Sequence, residues 1–362
     1  MKNIILIICC LALLNPVCAA TLRPKFRIKL KQWRQMGAIQ MTFDGSGALY
    51  LAYRQAATET AEFSSTLTVQ VYDGHTGRKK ADAAIETPVV EFPRYPKAMA
   101  VSPDGRRLLI ADGPPGSVFK ALYLSVLRVD SLSQADSMLV PEEKRYIVAG
   151  FTDDSQAVRV ASSNGRVAER VQLRELEAGS LANVASEVIV ENPSSSRGFE
   201  LDPWGGIWFD GSRTFAPQTL PINTVSVPRI IRNGSVVFLP DAVFGFVIDG
   251  SILRIHTDSD DPVAVRPKGR CAFAIPFSIS ADRRVVANEC RENEWSVWAH
   301  RTKAKKRRAV VFDTKTLSVI AEIPVSRKAR PDMAVRHRDG RVLVATLDFP
   351  GRLSVYEFSI PK

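Results

Sequence analysis

The densest chemical group in this chain is a basic run, Arg301-Thr302-Lys303-Ala304-Lys305-Lys306-Arg307-Arg308, preceded by Trp295 and Trp298. Cationic side chains beside aromatic rings can grip a phosphate backbone while a ring stacks on a base or sugar, which suits single-stranded nucleic acid or an anionic glycan. Charge at that density equally suits a solvated loop. Catalytic spacings are missing. His75, His256, His300 and His337 have no second His or Cys at metal-ligand spacing. Asp258-Ser259-Asp260-Asp261 alternates oxygen donors but lacks the glycine and distal glutamate of a calcium loop. Ser194-Ser195-Ser196 has no Gly-x-Ser-x-Gly surround and reads as a connection. No metal, cofactor or catalytic residue is assigned, and the reading leans away from an enzyme.

A repeated strand-turn-strand phrase must carry the basic run. Ala100-Val101-Ser102-Pro103-Asp104-Gly105-Arg106-Arg107-Leu108-Leu109-Ile110-Ala111 returns in altered form around Asp44, Asp282 and Asp339. A unit with apolar runs on both sides of an Asp-Gly turn cannot bury its hydrophobic face alone, so copies must stack. Turn signals at Asp44-Gly45, Asp104-Gly105, Asp153-Asp154, Asp202 with Gly205-Gly206, Asp241, Asp282 and Asp339-Gly340 each lie between apolar runs. The six intervals from Asp44 to Asp339 average about 49 residues, the length of a four-stranded propeller blade. Helical periodicity is absent. The expected fold is all-β, a seven-bladed β-propeller of four-stranded antiparallel blades. After Asp339-Gly340 the chain has room only for strands at Val342 to Ala345 and Leu353 to Phe358, so the last unit lacks its outer member. Phe26-Arg27-Ile28-Lys29-Leu30-Lys31 alternates apolar and basic residues and is expected to supply it, closing the ring and removing two exposed edges.

The turn Ser102-Pro103-Asp104-Gly105-Arg106-Arg107-Leu108 resembles the repeats of bacterial surface-layer and lactonase-type β-propellers. The pattern is sharp in the second, sixth and seventh units and weaker from about Lys144 to Arg270. The resemblance implies a seven-bladed ring whose ligands meet one mouth of the central channel. It implies little about activity, because propellers of this kind bind, scaffold or catalyse different things.

In a blade with strands a to d, the d-to-a and b-to-c connections share that mouth. All seven predicted d-to-a connections carry positive charge, with 15 basic and three acidic residues in 44 positions against 49 basic in the 362-residue chain. The enrichment predicts a focused positive potential and an anionic partner. The candidate ligand-binding residues are Arg34, Arg94, Lys97, Lys144, Arg145, Arg197, Arg232, Lys268, Arg270, Arg327 and Arg330. Trp298, Lys305 and Arg307 join them from the basic run, read as an insertion between strands b and c of the sixth unit. The expected function is noncatalytic binding of an anionic ligand, glycan or protein. A propeller hydrolase or lactonase with its site at the channel is the alternative.

Met1 to Ala20 reads as an export signal, with Lys2, an apolar stretch from Ile4 to Leu14 and a small-residue cleavage site at Val17-Cys18-Ala19-Ala20. Residues 21–362 are then expected to be a single propeller domain, secreted or periplasmic, with no later stretch apolar for long enough to span a bilayer. Export disfavours nucleic acid and leaves a protein or an anionic envelope polymer as the partner of a chain with net charge +11. Cys271 and Cys290 are the two cysteines beyond the signal, and the strand, Asp282-Arg283 turn and strand between them bring their ends together. A disulfide is expected there, two buried thiols being the other reading.

Overall fold

The computed structural model describes residues 22–31, 39–54, 66–87, 95–113, 122–140, 146–152, 154–163, 170–191, 199–201, 207–209, 213–215, 224–226, 236–238, 242–246, 252–256, 263–265, 271–273, 278–292, 306–326, 332–348 and 350–360. Among them every regular element is a β-strand. After β1 (Phe26–Lys29), the first sheet runs β2 (Gln40–Phe43), β3 (Ala48–Arg54), β4 (Thr66–Asp73) and β5 (Lys79–Glu86). The second holds β6 (Tyr95–Val101), β7 (Arg107–Gly113), β8 (Leu122–Arg128) and β9 (Gln134–Val140); the third holds β10 (Tyr146–Phe151), β11 (Ala157–Ser163), β12 (Arg170–Glu177) and β13 (Ser180–Glu191). The fourth comprises β14 (Phe199–Leu201), β15 (Ile207–Phe209), β16 (Arg213–Phe215) and β17 (Thr224–Ser226), and the fifth β18 (Val236–Phe238), β19 (Ala242–Phe246), β20 (Ile252–His256) and β21 (Val263–Val265). In the sixth, β22 (Cys271–Phe273) and β23 (Ser278–Ile279) both pair with β24 (Val285–Glu292), followed by β25 (Lys306–Asp313) and β26 (Val319–Pro324). The last sheet is β27 (Asp332–Arg338), β28 (Arg341–Asp348), β29 (Arg352–Ser359) and then β1, whose register with β29 runs from Phe26 opposite Val355 to Lys29 opposite Arg352.

All pairings are antiparallel and, apart from β1 beside β29 and β22 beside β24, join consecutive strands as meanders, the order that period-two apolar runs separated by tight turns produce. The sheets then stack face to face through their apolar rows. Leu49, Leu51 and Tyr53 of the first sheet pack against Leu343, Ala345 and Leu347 of the last. Tyr50 and Ala52, on the opposite face, meet Leu108 and Ile110 of the second. Leu109 and Ala111 meet Val158 and Val160 of the third, while Val285 and Ala287 of the sixth meet Val342 and Val344 of the last. Strands buried on both faces read as continuous apolar runs, which is why β3 is buried at all seven positions. The innermost strands also touch: β2 packs against β27 and β6, and β10 against β6 and β14. The fold is thus all-β, propeller-like, with repeated four-stranded antiparallel sheets.

Tight turns join the first and second strands of the sheets at one end, hereafter the turn end. Three of them share one hydrogen-bond pattern. Ser102, Thr152 and Ser280 each donate a hydroxyl hydrogen bond of 2.6 Å to the aspartate two residues on, Asp104, Asp154 and Asp282. Each hydroxyl oxygen accepts the backbone N–H five residues on, at 2.9–3.1 Å. The aspartate in turn accepts an N–H from Arg106, Gln156 or Arg284. These side chains take over donors that the sheet ladder cannot reach. The residue after each aspartate has positive φ: Gly105 at 73°, Ser155 at 63° and Arg283 at 59°.

Candidate functional site

The opposite end of the sheets, the loop end, carries the d-to-a and b-to-c connections where the sequence places its basic residues. Arg34, Arg94, Lys144, Arg145, Arg197, Arg232, Lys268, Arg270, Arg327, Arg330, Trp298 and Lys305 lie outside the described residues. Lys97 and Arg307 lie within them. Lys97 is the extra residue of a β-bulge on the innermost strand of the second sheet, where the pairing steps from Pro96 opposite Asp112 to Ala98 opposite Ala111. A bulge re-aims one side chain without disturbing the rest of the ladder. Lys97 is half-buried, and that burial lowers its ammonium below the ordinary lysine range.

Arg307 and Arg308, expected in an insertion loop, are strand residues of β25. Pleating sends them to opposite faces: Arg307 lies opposite Arg291 of β24, and Arg308 lies opposite Cys290 and bonds Glu322 at 2.9 Å. Arg307 reaches Glu289 at 3.5 Å and Arg291 reaches the same carboxylate at 3.0 Å. Glu289 is completely buried. Both arginines are needed close by, since an isolated carboxylate in the interior would cost several kcal/mol.

A second buried ionic group closes the seam between the first and second sheets. Arg54, at the end of β3, donates to Asp112, near the end of β7, at 2.8 Å and to the Thr87 hydroxyl at 3.0 Å. The side chains are 2% and 0% exposed. Sequence reasoning passed over this pair and over Glu289, although a signal existed. Arg54 continues the buried row Tyr50, Ala52 and Asp112 the row Leu108, Ile110, so each puts a charge where alternation calls for an apolar residue. Glu289 does the same after Val285 and Ala287. Farther round, Asp348 of the last sheet accepts the Ser326 N–H at 3.2 Å, and burial raises its carboxyl above the usual range.

At the turn end the polar groups link neighbouring sheets. Ser155 Oγ accepts the Asp104 N–H at 2.9 Å, and the Ser155 carbonyl accepts from Arg107. Arg336 and Arg338 of the last sheet converge on the Gly45 carbonyl of the first, at 2.8 Å and 3.0 Å for the nearest nitrogens. His337 contacts Asp282 of the sixth sheet. Among the described residues no group of three His, Cys, Asp or Glu side chains could hold a metal ion, and no helix is long and apolar enough to cross a membrane.

Cys271 lies opposite Glu292 and Cys290 opposite Phe273, so the two cysteines sit on paired strands two positions apart in register. Cys290 is completely buried.

No family model matches the chain, and no curated protein matches it. Among solved structures it is similar to a chain of the "Crystal Structure of Mitotic Checkpoint Complex", with a TM-score of 0.59 at 10% identity, covering 96% of this chain and 95% of that one. A likeness at this identity speaks for fold alone, and it agrees with the all-β, propeller-like arrangement of repeated four-stranded sheets.

Proposed function

We propose that this chain is an exported, noncatalytic propeller of seven four-stranded blades, its ring completed where β1 joins β29, that binds an acidic protein surface through its basic loop end. The observation that carries the reading is architectural. A propeller-like fold spans 96% of a chain with net charge +11, and the sequence assigns its Lys- and Arg-rich segments to the connections of one end of that fold. WD40-like propellers serve as interaction scaffolds, and a cationic rim around a channel accelerates encounter with an acidic partner. An anionic envelope polymer is the competing partner.

Export rests on the Met1 to Ala20 pattern, and mass spectrometry of the secreted product should find Thr21 as its first residue. The Cys271–Cys290 cross-link completes the proposal, supported by their placement on paired strands. Closing that loop would stabilise the fold by about 3 kcal/mol.

The binding reading is tested with the full mature chain, poly-L-glutamate and dextran sulfate as probes, and a variant carrying Arg301→Gln, Lys303→Gln and Lys305→Gln. Salt-sensitive binding of poly-L-glutamate that weakens in the variant is the expected result. Preference for dextran sulfate would assign the polymer instead, and binding unchanged by the substitutions would remove the loop from the interface.

A further inference from the structure

The gap between the sixth and last sheets holds two guanidinium groups for one carboxylate. Arg291 and Arg307 stand directly opposite each other on β24 and β25, and both turn to Glu289. The three charges sum to +1. Each arginine has its Nε–H shielded from solvent with no acceptor, although the side chains are 35% and 17% exposed at their outer ends. A guanidinium offers five donors in a rigid fork, so a buried Nε–H without an acceptor is spare recognition capacity.

A third group meets them from the facing sheet. Val285 and Val342 belong to one apolar cluster across the gap. Glu289 lies four residues beyond Val285, and Thr346 four beyond Val342, with unbroken register in both strands. Pleating therefore puts the Thr346 side chain on the face toward Glu289, one layer above the apolar contact. Thr346 is completely buried and its hydroxyl has no hydrogen-bond partner. A buried hydroxyl left without a partner costs about 1–3 kcal/mol, which an arriving acceptor would offset.

We infer that Arg291, Arg307 and Thr346 form a seat for one carboxylate group of a protein partner, an acidic side chain or a chain terminus entering from the loop end. Two guanidinium groups turned to one buried carboxylate leave donors for a further anionic oxygen pair. Two guanidinium Nε–H donors and one hydroxyl suit the two oxygens of a carboxylate. The inference rests on the acidic-partner reading above and gives it an atomic address at the start of the segment that the basic run occupies.

The experiment uses the mature chain with selectively labelled arginine, hexaglutamate peptide as the probe and inorganic phosphate at matched ionic strength as the comparison. The peptide should shift the Nε–Hε resonances of Arg291 and Arg307, and Thr346→Val should weaken its binding about tenfold with an unchanged fold. Arg291→Gln should abolish the shift at Arg307, whereas Arg174→Gln, on the third sheet and paired with Glu187 at 3.1 Å, should leave binding within about twofold. Immobile resonances, wild-type affinity in Thr346→Val, or tighter binding of phosphate than of peptide would each overturn the carboxylate seat. If only the broad basic-face reading is wrong, the triple variant at Arg301, Lys303 and Lys305 will bind as before while the two Nε–Hε resonances still move.

Discussion

Polar side chains at the turn end and at the loop end of the sheets obey opposite rules. At the turn end the same few residues recur, and their groups bond within their own turn or to the next sheet: Ser102 to Asp104 and Arg107, Thr152 to Asp154 and Ala157, Ser280 to Asp282 and Val285. Among the described residues at the loop end no such motif recurs. Buried charges differ from seam to seam, as Arg54 with Asp112 and Glu289 with two arginines, and the Nε–H groups of Arg291 and Arg307 and the Thr346 hydroxyl lack hydrogen-bond partners. A repeated architecture needs repeated turns, so the first end is uniform. The second end is free to differ from sheet to sheet, and polarity that packing alone does not require accumulates there.

The sharpest way to break that contrast is to remove one charge from a loop-end seam. Asp112→Ala removes the carboxylate that accepts from the buried Arg54 guanidinium, and unfolding free energy measured in denaturant should fall by about 3–5 kcal/mol. Replacing both partners by apolar residues of similar volume, Arg54→Met with Asp112→Leu, should recover most of the loss. Failure of the double variant to recover would mean that the pair positions the seam in a way volume cannot replace.

A turn-end counterpart tests how the N-terminal strand is seated. Gly77, at φ 76°, lies beneath the Phe26 ring, and a Cβ there would come within 2.6 Å of it. Gly77→Ala combines a strained backbone with displacement of Phe26 and should cost about 2 kcal/mol. Its effect should disappear in a chain truncated before Ile39, where β1 is gone, apart from the backbone contribution. Next in size, Thr152→Val keeps the shape of a turn side chain but strips two hydrogen bonds, including that to the buried Ala157 N–H, and should cost about 1–2 kcal/mol. Ser102→Ala should cost a similar amount, because the two turns are built alike.

The turn end was largely legible in the amino-acid sequence and the loop end was not, for reasons visible in single residues. Asp104-Gly105 announces its turn because the chemistry is local: the acceptor, the donor and the positive-φ residue lie within six positions. Phe26 to Lys29 could be assigned to an edge because period-two alternation survives in a short strand, and the last unit was one strand short. Arg54 and Asp112 lie 58 residues apart, and only knowing which rows face each other turns two interruptions of alternation into a pair. Arg307 and Arg308 were hidden differently. A run of basic residues carries no apolar rhythm, so the start of β25 read as part of the loop before it. Lys97 sits in a bulge, which shifts side-chain phase by one and leaves no trace in composition.

The smallest effect separates the two ends by acid. At the turn end burial alone would raise the carboxyls of Asp73 and Asp104, but hydrogen bonds outweigh it: Lys80 with the His75 and Thr76 N–H groups hold Asp73 down, and the Ser102 hydroxyl with the Arg106 N–H holds Asp104 down. Asp154 is lowered foremost by the Thr152 hydroxyl and then by the Gln156 N–H. A carboxyl depressed on folding contributes stability above its unfolded value, near 3.9, and loses it as pH falls through the lower folded value. At the loop end Asp348 has the opposite sign: burial raises it, so its contribution favours the fold at low pH and fades as pH rises past that raised value. Thermal midpoints should therefore drop below about pH 4, and Asp104→Asn should flatten that drop, since its amide carries no titrating proton. Asp348→Asn should instead steepen the net gain in stability from pH 3 to pH 7 by about a degree or two in midpoint. Equal pH profiles for the two variants would erase the distinction between a carboxylate held by its own turn and one held by burial.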